Sequence, residues 1–409
     1  MLTYNMNERG RKTKTEFLYA CIKADILSGR IAAGERLPSR RSLADHLGIS
    51  VVTVQAAYGE LLSEGYLTSR ERSGFYAEKL NLTGSRESGE HLRRAAHGEM
   101  GPAGGTEAPG GKTEPFRELA EVPGGKTEPP RELKEVPGGR AEAPALDFPF
   151  TPFLHIVREV LNDYRDQLTR RPPNAGTPEL RRAISEYLRR YRGMKADPGQ
   201  IIIGSGSEYL YGFLAQLFDR QIVYGIEAQS YKKIRLVYSA YARPYELLPM
   251  DQYGISSDGL RTSLAGILHV TPFHSYPTGI TAPAAKRYEY IAWARARGAY
   301  IIEDDFESEF SVPRKPLETI YAMDTSASVI YLNTFTRSMA PSMRVGYMVL
   351  PERLLGQYEE RLGFYSCTVP SLDQYALAEY INRGYFEKRL DQIRRKIRQS
   401  SQDEKSECR

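Results

Sequence analysis

Hydrophobic positions in the first 80 residues repeat with the spacing of helices. An apolar face with i, i+3 and i+4 spacing predicts a helix that ends before Gly29, and its members are Phe17, Leu18, Cys21, Ile22, Ile26 and Leu27. Ser39 and Ser50 stand at expected N-cap positions, ahead of a short helix and of a second helix over 51–63. Two short apolar runs around a charged tip then predict a hairpin over 66–76. This order is typical of a helix-turn-helix motif with a wing.

From Asp147 onward the pattern changes to short apolar runs alternating with helical periods. The runs that predict buried strands are 201–203, 222–224, 267–270, 300–302, 329–332 and 345–350. Helical periods over 180–191 and 285–297 lie between them. Such alternation predicts an α/β domain built on a mainly parallel sheet. Ligands in sheets of this kind bind at the carboxyl ends of the strands.

The segment over 81–146 is rich in Gly, Pro and Glu, and it contains a fourteen-residue unit that starts at Pro109 and again at Pro123. Two prolines and two glycines per unit are incompatible with a continuous helix or strand. We therefore predict a disordered linker, with a partner-binding array as the alternative. The predicted organisation is a winged helix over 1–80, this linker, an α/β domain over 147–398 and a polar tail over 399–409.

Whole-chain composition excludes several protein classes. The net charge is only +5, from 56 basic and 51 acidic residues, so charge alone does not predict nucleic-acid binding. The three cysteines are scattered without a CxxC pair, which excludes a disulfide framework and predicts no metal site. The polar, basic start is not a signal peptide, and the chain has no apolar run long enough for a membrane span. A cytoplasmic protein is expected.

The start of the second predicted helix carries the candidate DNA chemistry, because this part of a helix-turn-helix enters the major groove. The side chains expected to face bases are Val51, Val52, Thr53 and Gln55. The residues expected to hold phosphates are Arg41, Ser50 and the wing at Gly74. The alternative is a three-helix bundle whose charged side chains are merely solvated.

This part of the chain closely resembles the winged helix-turn-helix of GntR-type transcription regulators. The matching residues are Ile26 to Gly29, Gly34 to Ala44, Leu47 to Ser50, Thr53-Val54, Ala57-Tyr58 and Leu61 to Gly65. The resemblance implies binding to a double-stranded DNA operator. The family often has arginine where Val51 stands, and a valine there is suited to a thymine methyl group instead.

Three polar groups follow predicted strands of the α/β domain. Small residues over 204–207 open a helix and suit an anion such as phosphate, although a plain strand-to-helix turn has the same pattern. The acidic run over 303–309 suits a cationic ring nitrogen, with a solvated turn or a metal site as alternatives. Hydroxyl and cationic side chains suited to phosphate follow the next strand and are Thr334, Thr336, Arg337, Ser338 and Arg344.

These segments resemble fold-type I aminotransferases, and their order resembles the MocR subgroup of GntR regulators, which fuses that fold to a winged helix. The carrying motifs include 176–181, 205–207, 270–279, 301–310, 334–347 and 374–377. The resemblance implies bound pyridoxal 5'-phosphate and a head-to-tail homodimer. It implies cofactor contacts from Ser205, Gly206, Ser207, Tyr231, Asp304, Thr334 and Arg344.

Three departures from the family pattern change the expected chemistry. Arg337 stands where the family has the lysine that bonds to the cofactor, and a guanidinium is not a neutral nucleophile at physiological pH. Phe306 stands where a tyrosine contacts the cofactor's phenolic oxygen. The chain ends soon after Arg398, so the small C-terminal subdomain and its carboxylate-binding arginine are expected to be largely missing. Cofactor binding is therefore expected to be non-covalent and weak, without a catalytic residue.

The sequence thus predicts a DNA-binding transcription regulator whose degenerate aminotransferase-like domain senses an effector or forms the dimer. A small amino compound is the expected effector class. One alternative is a pyridoxal-phosphate-dependent aminotransferase with residual activity, which would turn over amino donors without residues 1–80. Another is a decayed relic, which would lack cooperative thermal unfolding.

Overall fold

The computed structural model describes residues 2–70, 73–80, 148–305, 308–310, 317–340 and 342–407. The predicted linker over 81–146 and Phe306 lie outside these ranges. Within them, no helix is both long and apolar enough to cross a membrane.

The N-terminal unit has the predicted helices and hairpin. After a 3-10 turn over Met6–Arg9, its elements are α1 (Lys14–Leu27), α2 (Arg40–Leu47), α3 (Val51–Ser63), β1 (Leu67–Arg70) and β2 (Gly74–Ala77). The strands pair antiparallel, with Leu67 opposite Ala77. The helices begin where side-chain caps are available, because the Ser39 hydroxyl accepts the backbone N–H of Ser42 at 3.1 Å. Gly48 ends α2 in the left-handed conformation, with φ of 63°, and so permits the tight turn into α3.

The second unit alternates helices with strands. Its helices are α4 (Phe150–Asp163), α5 (Arg165–Leu168), α6 (Pro178–Tyr187), α7 (Ser207–Leu217), α8 (Lys232–Ala240), α9 (Ser257–Thr262), α10 (Ala284–Arg297), α11 (Ile320–Met323), α12 (Glu352–Leu362), α13 (Ser371–Asn382) and α14 (Tyr385–Glu407). Short helical turns cover Leu188–Arg192, Pro198–Gln200 and Ser308–Phe310. Helix α14 thus runs into the segment predicted to be a polar tail.

A seven-stranded sheet forms the centre of this unit. Its strands, with a separate small hairpin of β6 and β7, are β3 (Ile201–Gly204), β4 (Tyr224–Glu227), β5 (Tyr245–Leu248), β6 (Met250–Asp251), β7 (Gly254–Ile255), β8 (Ile267–Val270), β9 (Tyr300–Asp304), β10 (Val329–Thr334) and β11 (Gly346–Val349). The sheet order is β3-β11-β10-β9-β8-β4-β5. Only β11 runs antiparallel to its two neighbours. The prediction of an α/β fold with a mainly parallel sheet is confirmed.

Both faces of the sheet are covered, because successive strand residues enter different cores. Ile201 and Ile203 of β3 pack with α6 and α13, whereas Ile202 packs with α7 and α12. Burial on both faces explains why these strands read as continuous apolar runs in the sequence. The edge of the sheet at the strand ends is left for polar side chains.

In the seven-stranded sheet, one strand begins later than predicted and one strand was not predicted, and the small hairpin of β6 and β7 was not predicted either. Strand β4 begins at Tyr224 rather than at Ile222, because the Ile222 backbone N–H donates to the Asp219 carbonyl in a turn. Edge strand β5 had no predicted counterpart, since its burial alternates and leaves Tyr245 and Leu247 exposed. An alternating pattern of only four residues is too short to separate a strand from a loop.

Candidate functional site

The first turn of α3 presents most of the predicted base-reading side chains to solvent. Val51 is 38% exposed and Val52 is 76% exposed. Gln55 is exposed as well, whereas Thr53 is half-buried. The Ser50 hydroxyl accepts the Thr53 backbone N–H at 3.1 Å and lies 2.8 Å from the Thr53 hydroxyl. Ser50 therefore fixes the start of the helix, and its predicted phosphate contact shares an oxygen that already caps α3.

Two cationic side chains of the same unit lie at the start of α2 and at the wing. Arg41 is exposed in the first turn of α2. Gly74 opens β2 with φ of 117°, and a Cβ at that position would lie 3.4 Å from Arg36 Nε. The glycine thus lets the Arg36 guanidinium pass close to the wing backbone, in a conformation that side chains rarely adopt.

Aromatic rings of the wing hold two further arginines that sequence reasoning missed. The Arg40 guanidinium lies 5.9 Å from the ring centre of Phe75, and the Arg70 guanidinium lies 4.5 Å from that of Tyr76. Arg36 and Arg40 lie inside the motif over 34–44, but a motif match does not reveal their contacts with the wing. The wing therefore carries more positive charge near α3 than Gly74 alone suggested.

Strand register places the candidate cofactor residues at one edge of the large sheet. Gly346 of β11 pairs with Gly204 of β3 on one side and with Thr334 of β10 on the other. Asp304 of β9 pairs with Leu332, two residues before Thr334. The loop after Gly204, Thr334 and Asp304 therefore meet at the carboxyl edge, where ligands bind in such sheets.

The loop at 205–207 lies against Arg344, as the expected phosphate site requires. Gly206 has φ of 96°, and a Cβ there would lie 2.7 Å from Arg344 Nη2. The Ser205 hydroxyl accepts the Thr368 hydroxyl at 3.0 Å. Ser207 starts α7, so the loop also offers the free N–H groups of a helix start.

Glu208 is an acidic group beside the loop at 205–207 and Arg344, and sequence reasoning missed it. Its carboxylate accepts from Arg344 Nη2 at 2.5 Å and from Lys233 Nζ at 2.7 Å. Burial by itself raises the pKa of Glu208, but the hydrogen bonds from Lys233, its own backbone and Arg344 lower that pKa to about 2. A phosphate that binds Arg344 therefore has to compete with this carboxylate. The feature of the sequence that could have indicated this group is the acidic residue in the first turn of α7.

Asp304 is the centre of a chain of buried polar side chains. The Tyr211 hydroxyl donates a short hydrogen bond to Asp304 Oδ2. On the other side, His269 Nε2 lies 3.7 Å from the same oxygen, and His269 Nδ1 lies 2.8 Å from the Tyr238 hydroxyl. Burial raises the pKa of Tyr211 well above its usual range, so this phenol keeps its proton beside the carboxylate. The sequence pattern points to Asp304 but to none of these neighbours.

Glu227 is a second buried carboxyl group near Asp304, at the end of β4. It is 2% exposed. Its Oε2 accepts the Thr271 backbone N–H at 3.3 Å and the Ser275 hydroxyl at 3.1 Å. Burial raises the pKa of Glu227 to about 8, the two hydrogen bonds oppose this rise, and the charge of Asp304 adds to it. Glu227 therefore holds a proton in the folded protein at neutral pH.

Tyr231 and Arg337 complete the expected set. Tyr231 is half-buried directly before α8, with its ring 6.3 Å from that of Tyr276 and 5.7 Å from Lys233 Nζ. Arg337 is half-buried in the turn that follows β10. The structure thus puts an aromatic ring beside the Glu208 cluster and a guanidinium at the position of the family lysine.

The donor set fits a phosphate monoester joined to a ring with a protonated nitrogen. The Gly206 backbone leaves the space that Arg344 uses, and hydroxyls and helix N–H groups lie beside it. The buried His269 Nε2 has no hydrogen-bond partner and lies 3.7 Å from the Asp304 carboxylate, which is the acceptor that a ring N–H requires. The set contains no neutral amine at Arg337, so it fits non-covalent binding.

Two family models match this chain in the order of its two units. The model "Bacterial regulatory proteins, gntR family" matches residues 14–77, and the model "Aminotransferase class I and II" matches residues 147–409. The HTH-type transcriptional regulator YdeL of Bacillus subtilis is 31% identical over 93% of this chain and 76% of its own length. The probable rhizopine catabolism regulatory protein MocR of Rhizobium meliloti is 30% identical over 92% and 73%. The chain belongs to the MocR-type subgroup of GntR regulators.

Solved structures similar to this MocR-type chain are aminotransferases. Pyrococcus horikoshii kynurenine aminotransferase has a TM-score of 0.56 and 24% identity, over 61% of this chain and 64% of its own length. An archaeal alanine:glyoxylate aminotransferase has a TM-score of 0.54 and 24% identity, over 59% and 62%. This chain therefore spans less than two thirds of those enzymes, and the likeness shows the fold alone. In the MocR-type regulator that fold is joined to a winged helix.

Proposed function

We propose that this MocR-type transcription regulator binds a double-stranded DNA operator with the first turn of α3 in the major groove. The observation that carries the proposal is the capped and exposed start of α3, where the aliphatic Val52 is 76% exposed, in a unit where Arg40 of α2 and Arg70 of the wing lie over aromatic rings of the wing. An exposed aliphatic side chain is suited to the methyl group of thymine, and an exposed Gln55 is suited to adenine. The residues proposed to contact phosphates are Arg41, Ser50 and the backbone at Gly74.

The experiment for this proposal is selection of bound duplexes from a random DNA pool by the full chain. We expect an enriched site with two half-sites about 10 base pairs apart or a multiple of that spacing, because a dimer presents two such helices. Enrichment of no sequence above the input pool would contradict operator recognition.

A homodimer is part of the proposal. Helix α4 carries a stripe of large apolar side chains at i, i+4 and i+11, and these are Phe150 (64% exposed), Leu154 (52%) and Leu161 (47%). Exposed apolar side chains on one face of a surface helix are suited to burial against a second copy. Two copies would also supply the two α3 helices that paired half-sites require.

The aminotransferase-like domain is proposed to sense a small amino compound through weakly bound pyridoxal 5'-phosphate. Arg344, Ser205, Gly206 and Ser207 would hold the phosphate, with Thr334 beside them, and Asp304 would accept from the ring nitrogen. Tyr231 would pack on the ring. When bound, the cofactor supplies an aldehyde that reacts with amines. Arg337 stays protonated and holds anionic groups without attacking that aldehyde.

Replacement of Arg337 by lysine tests the cofactor site. With added pyridoxal phosphate, we expect Arg337→Lys to gain the absorption band of a covalent lysine adduct, because a lysine supplies the missing amine. Arg337→Met is the matched control, since it removes the charge without adding an amine. Borohydride reduction followed by mass spectrometry locates the adduct. A band in the wild type and in Arg337→Met would assign the reaction to another amine: an adduct on Lys233 would contradict non-covalent binding, and an adduct on a lysine outside the site would contradict the proposed site.

A further inference from the structure

The C-terminal end of α3 contacts the aminotransferase-like domain, at the opposite end from the DNA-reading turn. The Ala284 backbone N–H donates to the Glu64 carbonyl at 2.8 Å. Ala284 is the first residue of α10, and α10 has no side-chain cap. The first N–H groups of a helix lack acceptors within the helix, and those groups carry positive partial charge. The carbonyl end of the DNA-reading helix therefore caps the amide end of α10.

Arg287 adds charge to this contact, which we call the joint and define as residues 64–66 against 283–288 and Glu318. Its Nη2 donates to the Glu64 carbonyl at 3.2 Å, and its Nη1 donates a short hydrogen bond to the Glu318 carbonyl. Arg287 is 0% exposed. Burial of a guanidinium is tolerated where acceptors face it, and the Glu64 carbonyl is the acceptor that comes from the winged helix, so separation of the two units would remove this partner from Arg287 Nη2.

An ion pair and the Tyr66 hydroxyl connect the same surfaces, and Tyr19 holds Glu64 within the winged helix. Lys23 of α1 forms a short ion pair with the Glu318 carboxylate, which also accepts the Tyr66 hydroxyl at 3.2 Å. Tyr19 donates to the Glu64 carboxylate at 2.7 Å. Lys23 and Glu64 are both buried. Removal of one member of the ion pair leaves a buried charge without compensation. The pair therefore favours this one relative placement of the two surfaces over others.

Close packing at Gly65 leaves no room for a side chain. A Cβ at Gly65 would lie 2.8 Å from Pro283 Cβ and 3.2 Å from the Ala284 nitrogen. Gly29 follows the end of α1 as Gly65 follows the end of α3, and both are left-handed, with φ of 73° at Gly29 and 80° at Gly65. A Cβ at Gly29 would have no neighbouring atom within 4 Å. Alanine at either glycine brings the same backbone strain, and only Gly65→Ala also forces the two units apart.

The segment from Thr271 to Pro283 connects the joint with the candidate cofactor site. At its start, Thr271 and Ser275 donate to the buried Glu227 carboxyl group. At its end, Pro283 precedes α10. Between them, the Phe273 ring lies 5.6 Å from the Arg287 guanidinium. The same segment is therefore held to Glu227, beside the candidate cofactor site, and to Arg287 of the joint.

From this continuity we infer that the joint positions the DNA-reading helix on the aminotransferase-like domain, with the Thr271–Pro283 segment as its connection to the pocket. The consequence for DNA rests on the proposed function. Helix α3 contains 13 residues, so its two ends lie roughly 18 Å apart at 1.5 Å per residue. A tilt of about 10° at the joint therefore moves the DNA-reading turn by about 3 Å, which is enough to remove base contacts of hydrogen-bond length.

Hydrogen–deuterium exchange of the full chain tests the joint without DNA or cofactor. We expect exchange of the Ala284 amide to be about tenfold faster in Gly65→Ala than in Gly29→Ala, because only the former loses the Glu64 acceptor. Ser275→Ala is expected to speed exchange at the same amide several-fold by releasing the segment from Glu227. Equal exchange rates of the Ala284 amide in the two glycine variants would overturn the proposal that the joint holds the two units together. An unchanged rate in Ser275→Ala would overturn the connection to the pocket.

Affinity for the selected DNA then tests the consequence. Gly65→Ala is expected to bind about tenfold more weakly than Gly29→Ala, since an unanchored helix loses the fixed spacing of two half-sites. Equal affinity would overturn control of the helix by the joint. If the wild type selects no DNA while the exchange pattern holds, the proposed function fails and the joint stands.

Discussion

Replacement of Arg192 by methionine is expected to lower the free energy of unfolding by about 3–5 kcal/mol. Arg192 Nη2 lies 2.6 Å from Asp305 Oδ2, and the two side chains are 1% and 0% exposed. The same oxygen accepts the Tyr331 hydroxyl at 2.6 Å. Loss of the guanidinium leaves the Asp305 carboxylate buried without this counter-charge, and the remaining hydrogen bonds from the Tyr331 hydroxyl and the Ser308 backbone N–H are neutral and do not replace it.

The neighbouring Arg190 provides the matched control. It pairs with Glu186 at 3.3 Å, but these side chains are 60% and 48% exposed. Exposed pairs contribute little, so Arg190→Met is expected to change stability by less than about 0.5 kcal/mol. Urea unfolding followed by the fluorescence of Trp293, the one tryptophan of the sequence, reports on the domain that contains both pairs. Equal effects of the two variants would contradict the account of the buried pair.

Replacement of Glu227 by glutamine is expected to stabilise the protein at about pH 8 and to have little effect below about pH 4.5. The pKa of Glu227 is raised from 4.5 to about 8, chiefly by burial. Between these values the unfolded chain releases the proton that the folded chain keeps, so wild-type stability falls as pH rises. At 1.36 kcal/mol for each pKa unit, the gain in Glu227→Gln near pH 8 is on the order of 4 kcal/mol.

Denaturant unfolding across this pH range measures the effect. Glu360→Gln, at an exposed position of α12, is the matched control and is expected to be neutral at both ends of the range. Glu303 and Glu309 are also buried, with pKa values raised to about 8 and about 7 chiefly by burial, so wild-type stability retains some pH dependence in Glu227→Gln. Identical pH profiles of Glu227→Gln and the wild type would show that Glu227 is ionised in the folded protein.

Local signals in the sequence were sufficient for the winged helix and most of the sheet. Ser39 and Ser50 marked the starts of α2 and α3, because N-cap chemistry acts within one helical turn. Continuous apolar runs marked the strands buried on both faces. Strand β5 escaped prediction because it lies at the sheet edge, where Tyr245 and Leu247 face solvent and no continuous apolar run forms.

The candidate site was predictable only where its chemistry follows from position on a strand. Asp304 and the loop at 205–207 were found because both come directly after apolar runs. Tyr211 contacts Asp304 across 93 residues of chain, and Arg344 contacts Glu208 across 136 residues. Such pairings depend on the order of strands in the sheet, which no local pattern specifies. The joint between Glu64 and α10 was missed for the same reason.

Titration of the selected DNA with full-length protein tests the central claim most directly, with Gln55→Ala and Ser63→Ala beside the wild type. Gln55 is exposed at the DNA-reading start of α3, whereas Ser63 is exposed at its other end. We predict that Gln55→Ala weakens binding about tenfold or more and relaxes the preference at one base pair, since a good base contact contributes about 1–3 kcal/mol. Ser63→Ala is predicted to bind like the wild type. Unchanged affinity and base preference in Gln55→Ala would contradict DNA reading by α3.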